Sequence, residues 1–226
     1  MPSIRLIDVK KHFIGHSKNA LSGLNLDVNS GDFILISGPS GSGKTSLLSA
    51  IGGLLKPTSG RVYLDKYNLA QISNSQMSRL RRLYFSFIFQ NDLLLNDLTV
   101  FENILFPFQV KGNITKEVIK KAAYYLENFN MLTYSSQKVK RLSGGEKQIV
   151  SFIRAILPES PILLADEPNS ELDSKLSIKV FEFLQKLHQQ KNTTIVLVSH
   201  HPEAAHYARE KYQMEEGRLI GYEKLY

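Results

Sequence analysis

Residues 38–45 read Gly-Pro-Ser-Gly-Ser-Gly-Lys-Thr, between a five-residue apolar run, FILIS at 33–37, and the helix-like stretch LLSAIGGLL at 47–55. The octet fits G-x-x-x-x-G-K-[ST], a pattern with a physical mechanism only where a strand leads in and a helix leads out. Both flanks meet that condition. Successive N–H groups of such a loop wrap a β-phosphate, Lys44 reaches the β- and γ-phosphates, and the Thr45 hydroxyl is placed for Mg²⁺. The candidate phosphate-binding set is therefore Gly38, Pro39, Ser40, Gly41, Ser42, Gly43, Lys44, Thr45 and Ser46.

Two further apolar runs, ILLAD at 162–166 and TIVLVS at 194–199, resemble FILIS in being nearly continuous. Such runs suit parallel strands covered on both faces, and the helical patterns between them predict an α/β core. IRLIDVKKHF, ALSGLNLDV and RVYLD alternate instead and predict an antiparallel edge sheet. In TKEVIKKAAYYLENFNML, Val118, Ala122, Leu126 and Phe129 share one helical stripe. The expected organisation is a single domain over 1–226, with residues 1–91 and 155–226 as core and edge sheet and residues 92–154 as an inserted helical subdomain.

The run ILLAD ends on Asp166, where a carboxylate can hold a metal, and Glu167 follows, placed to polarise a water in line with a γ-phosphate. His200 exits the third run toward the same sheet edge, where open α/β folds bind ligands, and is a candidate γ-phosphate contact. With His201 it also makes a weak candidate metal pair. Gln90, leaving an apolar run in FIFQNDLLL, can bring its amide oxygen near Mg²⁺.

LSGGEKQIVSFIRA at 142–155 sets Ser143, Gly144 and Gly145 at the start of a helix. Ser143 with Glu146 fits an ordinary capping box. The glycine pair also lets backbone approach an anion at the positive end of the helix. Since one triphosphate is already wrapped by residues 38–45, the second cradle is expected to cap a nucleotide held by another copy of the chain. That predicts a two-fold homodimer closed by ATP and opened by hydrolysis.

Composition narrows the setting. With 42% hydrophobic and 22% charged residues the chain has a globular make-up, and its lack of cysteine excludes disulfides and thiolate-bound metals. No stretch approaches a membrane span or a signal peptide, so the expected location is cytoplasmic. The net charge of +7 is spread over small groups without interleaved aromatics. This favours solvated faces or anionic lipid, with no nucleic-acid partner.

These motifs, in this order, resemble the nucleotide-binding ATPase of ABC transporters over essentially the whole chain. The resemblance implies a P-loop NTPase (RecA-like) core, with residues 38–45 as Walker A, Gln90 as the Q-loop residue, Leu142–Glu146 as the signature, Ile162–Asp166 as Walker B followed by Glu167, and His200 as the switch histidine. Residues 170–173 match the D-loop ending on Asp173, and Phe13 matches the aromatic that stacks on adenine. GGLLKPTSGRVYLD, FQNDLLLNDLTVFENILFP and LLADEPNSELDS are similar to the lipoprotein-release (LolD-like), macrolide-export (MacB-like) and cell-division (FtsE-like) group.

The implied activity is Mg²⁺-dependent ATP hydrolysis on the cytoplasmic face of the inner membrane, driving a separate permease. The alternative is a cell-division-type ATPase that regulates a membrane partner without transport. Three departures from the pattern stand out: Ile149 where the family usually has Arg, Asn169-Ser170-Glu171 where this group commonly has Thr-Gly-Asn, and His201 where Asp usually follows the switch histidine.

Overall fold

Strand β3 (Phe33–Ser37) shows why its sequence does not alternate. Phe33 and Leu35 enter one apolar cluster while Ile34 and Ile36 enter another, on the opposite face of the same sheet. β7 (Ile162–Asp166) and β8 (Thr194–Val198) divide their residues the same way, with Leu163, Ala165, Ile195 and Leu197 on the first face and Ile162, Leu164, Val196 and Val198 on the second. A strand buried on both faces has no polar side to display, which makes the run continuous.

The computed structural model describes residues 2–15 and 17–225. Its elements run β1 (Ile4–Lys11), β2 (Leu21–Val28), β3, α1 (Lys44–Ile51), β4 (Ser59–Leu64), β5 (Tyr67–Asn68), α2 (Asn74–Tyr84) and β6 (Phe85–Ile88). Then come α3 (Val100–Lys111), α4 (Lys116–Asn128), α5 (Gly144–Ile156), β7, α6 (Ser174–Lys191), β8, β9 (Glu210–Glu215) and β10 (Arg218–Lys224). One sheet has the order β10-β9-β3-β8-β7-β6, with β9, β3, β8, β7 and β6 mutually parallel and β10 returning antiparallel. The other has the order β2-β1-β4-β5 and is antiparallel throughout. The expected α/β core and antiparallel edge sheet are both present, the latter as a separate sheet.

That antiparallel sheet joins α1 and α2 over one face of the parallel sheet, through Ile4, Leu6, Leu26, Val62, Leu47, Ile51 and Met77. Helices α3, α4, α5 and α6 cover the other face, where Phe129, Phe152 and Phe183 pack ring against ring at 5.1 to 6.4 Å. The stripe expected on α4 is there: Ala122, Leu126 and Phe129 are buried and Val118 packs against the same cluster. Among the described residues no helix is long and apolar enough to cross a membrane.

Register positions the site. Ile36 pairs with Val198, Asp166 with Val198, and Ile88 with Ala165, so the loops after β3, β8, β7 and β6 leave one common edge. Those loops carry residues 38–45, His200, Glu167 and Gln90.

Candidate functional site

The loop 38–45 is built so that only glycine fits at two of its corners. Gly38 has φ +148° and Gly43 φ +103°, and a Cβ would strike the Met214 carbonyl oxygen at the first and the Ala20 carbonyl oxygen at the second. Helix α1 starts directly behind, with Gly43 at its N-cap, no side-chain cap and no acidic residue in its first turn. Its orphan N–H groups and dipole therefore face the loop uncompensated by any acidic side chain of the helix's own first turn. Lys44 Nζ folds back over the same loop, donating to the carbonyl oxygens of Gly38 at 2.8 Å and Pro39 at 2.7 Å.

Thr45 Oγ1 donates to Asp166 Oδ2 at 2.6 Å, which joins two of the three residues expected at the metal across 121 positions of sequence. Burial pushes the Asp166 carboxyl above the usual carboxylate range, while the Thr45 hydroxyl and the Lys44 ammonium pull it back. Glu167 follows in a left-handed conformation, φ +49°, that turns its side chain out of the strand direction. Its carboxylate meets His200, with Oε1 2.9 Å from the ring Nδ1 and Oε2 accepting from the His200 N–H at 3.4 Å. Glu167 is buried and His200 exposed, so the pair points from the sheet edge into open space.

These groups line one cleft of about 770 Å³ together with Gly38, Ser40, Gly41, Gly43, Lys44, Ser46, Gln90 and Phe13. Gln90 is exposed on the loop after β6, and the Phe13 ring carries Lys11 Nζ 5.1 Å from its centroid. Pro39 and Ser42 belong to the loop without lining the cleft: the first gives its carbonyl to Lys44, and the second is buried, with Oγ 3.4 Å from Lys44 Nζ. Ser170, read from the sequence only as part of the D-loop match, also lines the cleft, and sequence reasoning missed Ser17, Lys18, Asn19 and Ala20, which complete the lining. Those four come from the loop before β2, which has no chemical pattern, and nothing local marks them.

Ser143, Gly144, Gly145 and Asp173 are not in this cleft. The capping box read from the sequence is formed: Ser143 Oγ accepts from the Glu146 N–H at 3.3 Å, and Glu146 Oε2 accepts from the Ser143 N–H at 2.8 Å, which holds the Glu146 carboxyl below its ordinary range. That box uses the N–H groups of Ser143 and Glu146 and leaves those of Gly144 and Gly145 outside it. Asp173 caps α6, accepting from the Leu176 N–H at 2.8 Å.

The three departures have definite places. Ile149 is buried in the helical cluster, so its position supplies packing where a guanidinium was expected. His201 caps the short turn Pro202–His206, accepting from the Glu203 N–H at 3.3 Å, with its ring 5.6 Å from Phe181. No group of three or more His, Cys, Asp or Glu among the described residues forms a metal cluster, and the two histidine rings meet different partners, His200 the Glu167 carboxylate and His201 the Glu203 N–H. Asn169 is buried with Oδ1 lacking a donor, and Ser170 and Glu171 bond Gln148, a residue sequence reasoning passed over.

Comparison with known proteins places this arrangement. Residues 21–170 match the ABC transporter family. The chain is 40% identical to the macrolide export ATP-binding/permease protein MacB of Campylobacter jejuni over 88% of its length, and it spans 31% of that larger protein. It is 36% identical to the lipoprotein-releasing system ATP-binding protein LolD of Legionella pneumophila, with 95% of each chain covered. The dimeric post-hydrolysis structure of the ATP-binding cassette MJ0796 bound to ADP and Pi superposes with a TM-score of 0.92 at 34% identity, over 99% of each chain. With its nucleotide loop, paired carboxylates and histidine on one sheet edge, the chain belongs to the ABC transporter family as an ATP-binding cassette.

Proposed function

We propose that this chain binds and hydrolyses ATP with Mg²⁺ as a homodimer on the cytoplasmic face of a cell membrane, driving a separate permease of the lipoprotein-release or efflux kind. The observation that carries this reading is the convergence of Lys44, Thr45, Asp166, Glu167 and His200 on one cleft at the carboxyl edge of the parallel sheet. The likeness to LolD and MacB supports the permease partner, and the dimeric form of MJ0796 supports the homodimer. Helices α3 to α5 form the inserted subdomain of this reading.

The residues fit their ligands. The uncapped start of α1 with its glycine corners suits a phosphate chain. Thr45, Asp166 and the Gln90 amide offer oxygen donors, the set a hard divalent cation takes, and a cation there would favour the charged form of the buried Asp166. Mg²⁺ supplies charge neutralisation on the phosphate oxygens.

The chain's own residues do the rest. Lys44 exchanges two loop carbonyls for phosphate oxygens. Glu167 orients and deprotonates the attacking water, and His200, hydrogen-bonded to it, reaches the γ-phosphate. Phe13 stacks on the base. Ser143, Gly144 and Gly145, outside the chain's own cleft, act on the partner's nucleotide, with Asp173 beside them.

Glu167→Gln keeps the shape of the side chain and removes the base. With ATP and Mg²⁺ this variant is expected to accumulate as a dimer by light scattering while turnover falls about 100-fold or more. Turnover equal to the unsubstituted chain would take Glu167 out of its role.

A further inference from the structure

The helix that begins with the glycine pair and the loop that carries Glu167 are joined by one side chain. Gln148 lies one turn into α5 and is 5% exposed. Its Nε2 donates to the Glu167 carbonyl oxygen at 3.1 Å and to Ser170 Oγ at 3.0 Å, and its Oε1 accepts from the Glu171 N–H at 2.7 Å. A buried amide with both ends paired is fixed in one rotamer and transmits displacement. The helix start rests on the same loop: a Cβ on Gly145 would lie 2.9 Å from the Glu171 carbonyl oxygen, and one on Gly144 3.0 Å from Glu171 Oε2.

The loop so held is not at ease. Glu167 sits at φ +49°, and Asn169 keeps a buried Oδ1 without a donor. Such a conformation persists only where surrounding contacts over-determine it. Gln148 supplies three of those contacts from a single residue on another element.

We propose that Gln148 is a positioning residue that couples the two ATP sites of the dimer. The proposal rests on the reading in which Ser143–Gly145 of one chain cap the nucleotide of the other. Helix α5 then touches the partner's γ-phosphate at its start and, one turn later, holds the backbone of its own Glu167. Seating of the helix on the partner's nucleotide sets the Glu167 carboxylate over the chain's own water. Each bound ATP thereby licenses hydrolysis of the other. Gln148 touches no substrate. Glutamine suits the task because it offers donors toward Glu167 and Ser170 and an acceptor toward Glu171 at one reach.

The test uses the full chain with Gln148→Met, which keeps the volume and removes all three bonds, and with Gln148→Glu, which keeps the acceptor for Glu171 but sets a carboxylate oxygen against the Glu167 carbonyl. Turnover is followed against ATP concentration, and ATP-dependent dimerisation is measured with each substitution added to Glu167→Gln. The expected result is a loss of about tenfold in kcat with KM within about twofold, a Hill coefficient falling toward about 1, and dimerisation retained. A Hill coefficient unchanged by both variants overturns the proposal whatever kcat does, as does loss of dimerisation along with kcat, which marks a structural role. Failure of Glu167→Gln alone to dimerise with ATP overturns the dimer reading, and the coupling falls with it. Should Gln148→Met not fold, Gln148→Glu carries the same comparison.

Discussion

Asn169 shows what a single departure from a family pattern does at the residue scale. Its side-chain oxygen is buried and has no donor among the described residues, in a segment whose neighbours Glu167, Ser170 and Glu171 are all engaged. An unpaired buried acceptor carries its full desolvation cost. Asn169→Thr puts a hydroxyl, able to donate as well as accept, in place of that carbonyl. It is expected to stabilise the nucleotide-free chain by about 1 kcal/mol, read from urea midpoints. A lower midpoint would mean that Thr loses more in packing than it gains. The departure itself was legible in the sequence. Its cost was not, because whether a buried oxygen finds a donor depends on groups brought in by other elements, which no local pattern reports.

At the scale of elements, the last turn of α6 carries a titratable residue into the core. His188 is buried against the Phe33 ring, with centroids 5.6 Å apart, and its Nδ1 lies 3.3 Å from the Thr193 carbonyl oxygen. Burial lowers its pKa below the ordinary 6.5; the Thr193 carbonyl opposes this, Arg209 adds to it and Asp32 opposes it. The folded chain thus gives up its proton at a pH where the unfolded chain still holds one. Stability rises with pH through the window below 6.5 and is complete above it. Unfolding midpoints measured from about pH 5 to pH 7.5 are expected to climb in the native chain and to flatten over that window in His188→Leu. An unchanged slope would assign the dependence to other groups. The helical stripe of α4 and the continuous strands were readable beforehand because periodicity is local. The hairpin β9–β10 was not: its strands are half exposed and carry charge at six of their thirteen positions, and pairing of β9 with β3 makes them a sheet edge.

For the molecule as a whole, the cleft is the meeting place of both apolar clusters. The loop 38–45 leads into α1 on one face of the parallel sheet, while Glu167 and Gln90 are tied to helices on the other: Gln148 bonds the Glu167 carbonyl, and Arg154 donates to the carbonyls of Asp92 and Leu93 at 2.7 and 2.9 Å. A ligand bridging these groups binds only the folded chain. ATP at 100 times its Kd therefore stabilises by about 2.7 kcal/mol. For a chain of this size that raises Tm by roughly 5 to 11 °C. Lys44→Ala is expected to lose most of the shift in a thermal melt, and a shift as large as the native one would remove Lys44 from phosphate binding.

The sequence by itself determined the nucleotide loop, the carboxylate pair, the capping box at Ser143 and the two-sided burial of the parallel strands, since each is written in neighbouring residues through backbone geometry, charge or period. Only the tertiary structure decided that Thr45 meets Asp166, that Glu167 leans on His200, that Asn169 is left unpaired and that Gln148 joins the glycine helix to the loop that carries Glu167. Those contacts join residues 19 to 121 positions apart, and strand order and helix seating, which arise from burial of both sheet faces at once, choose among the many partners that local chemistry alone would allow.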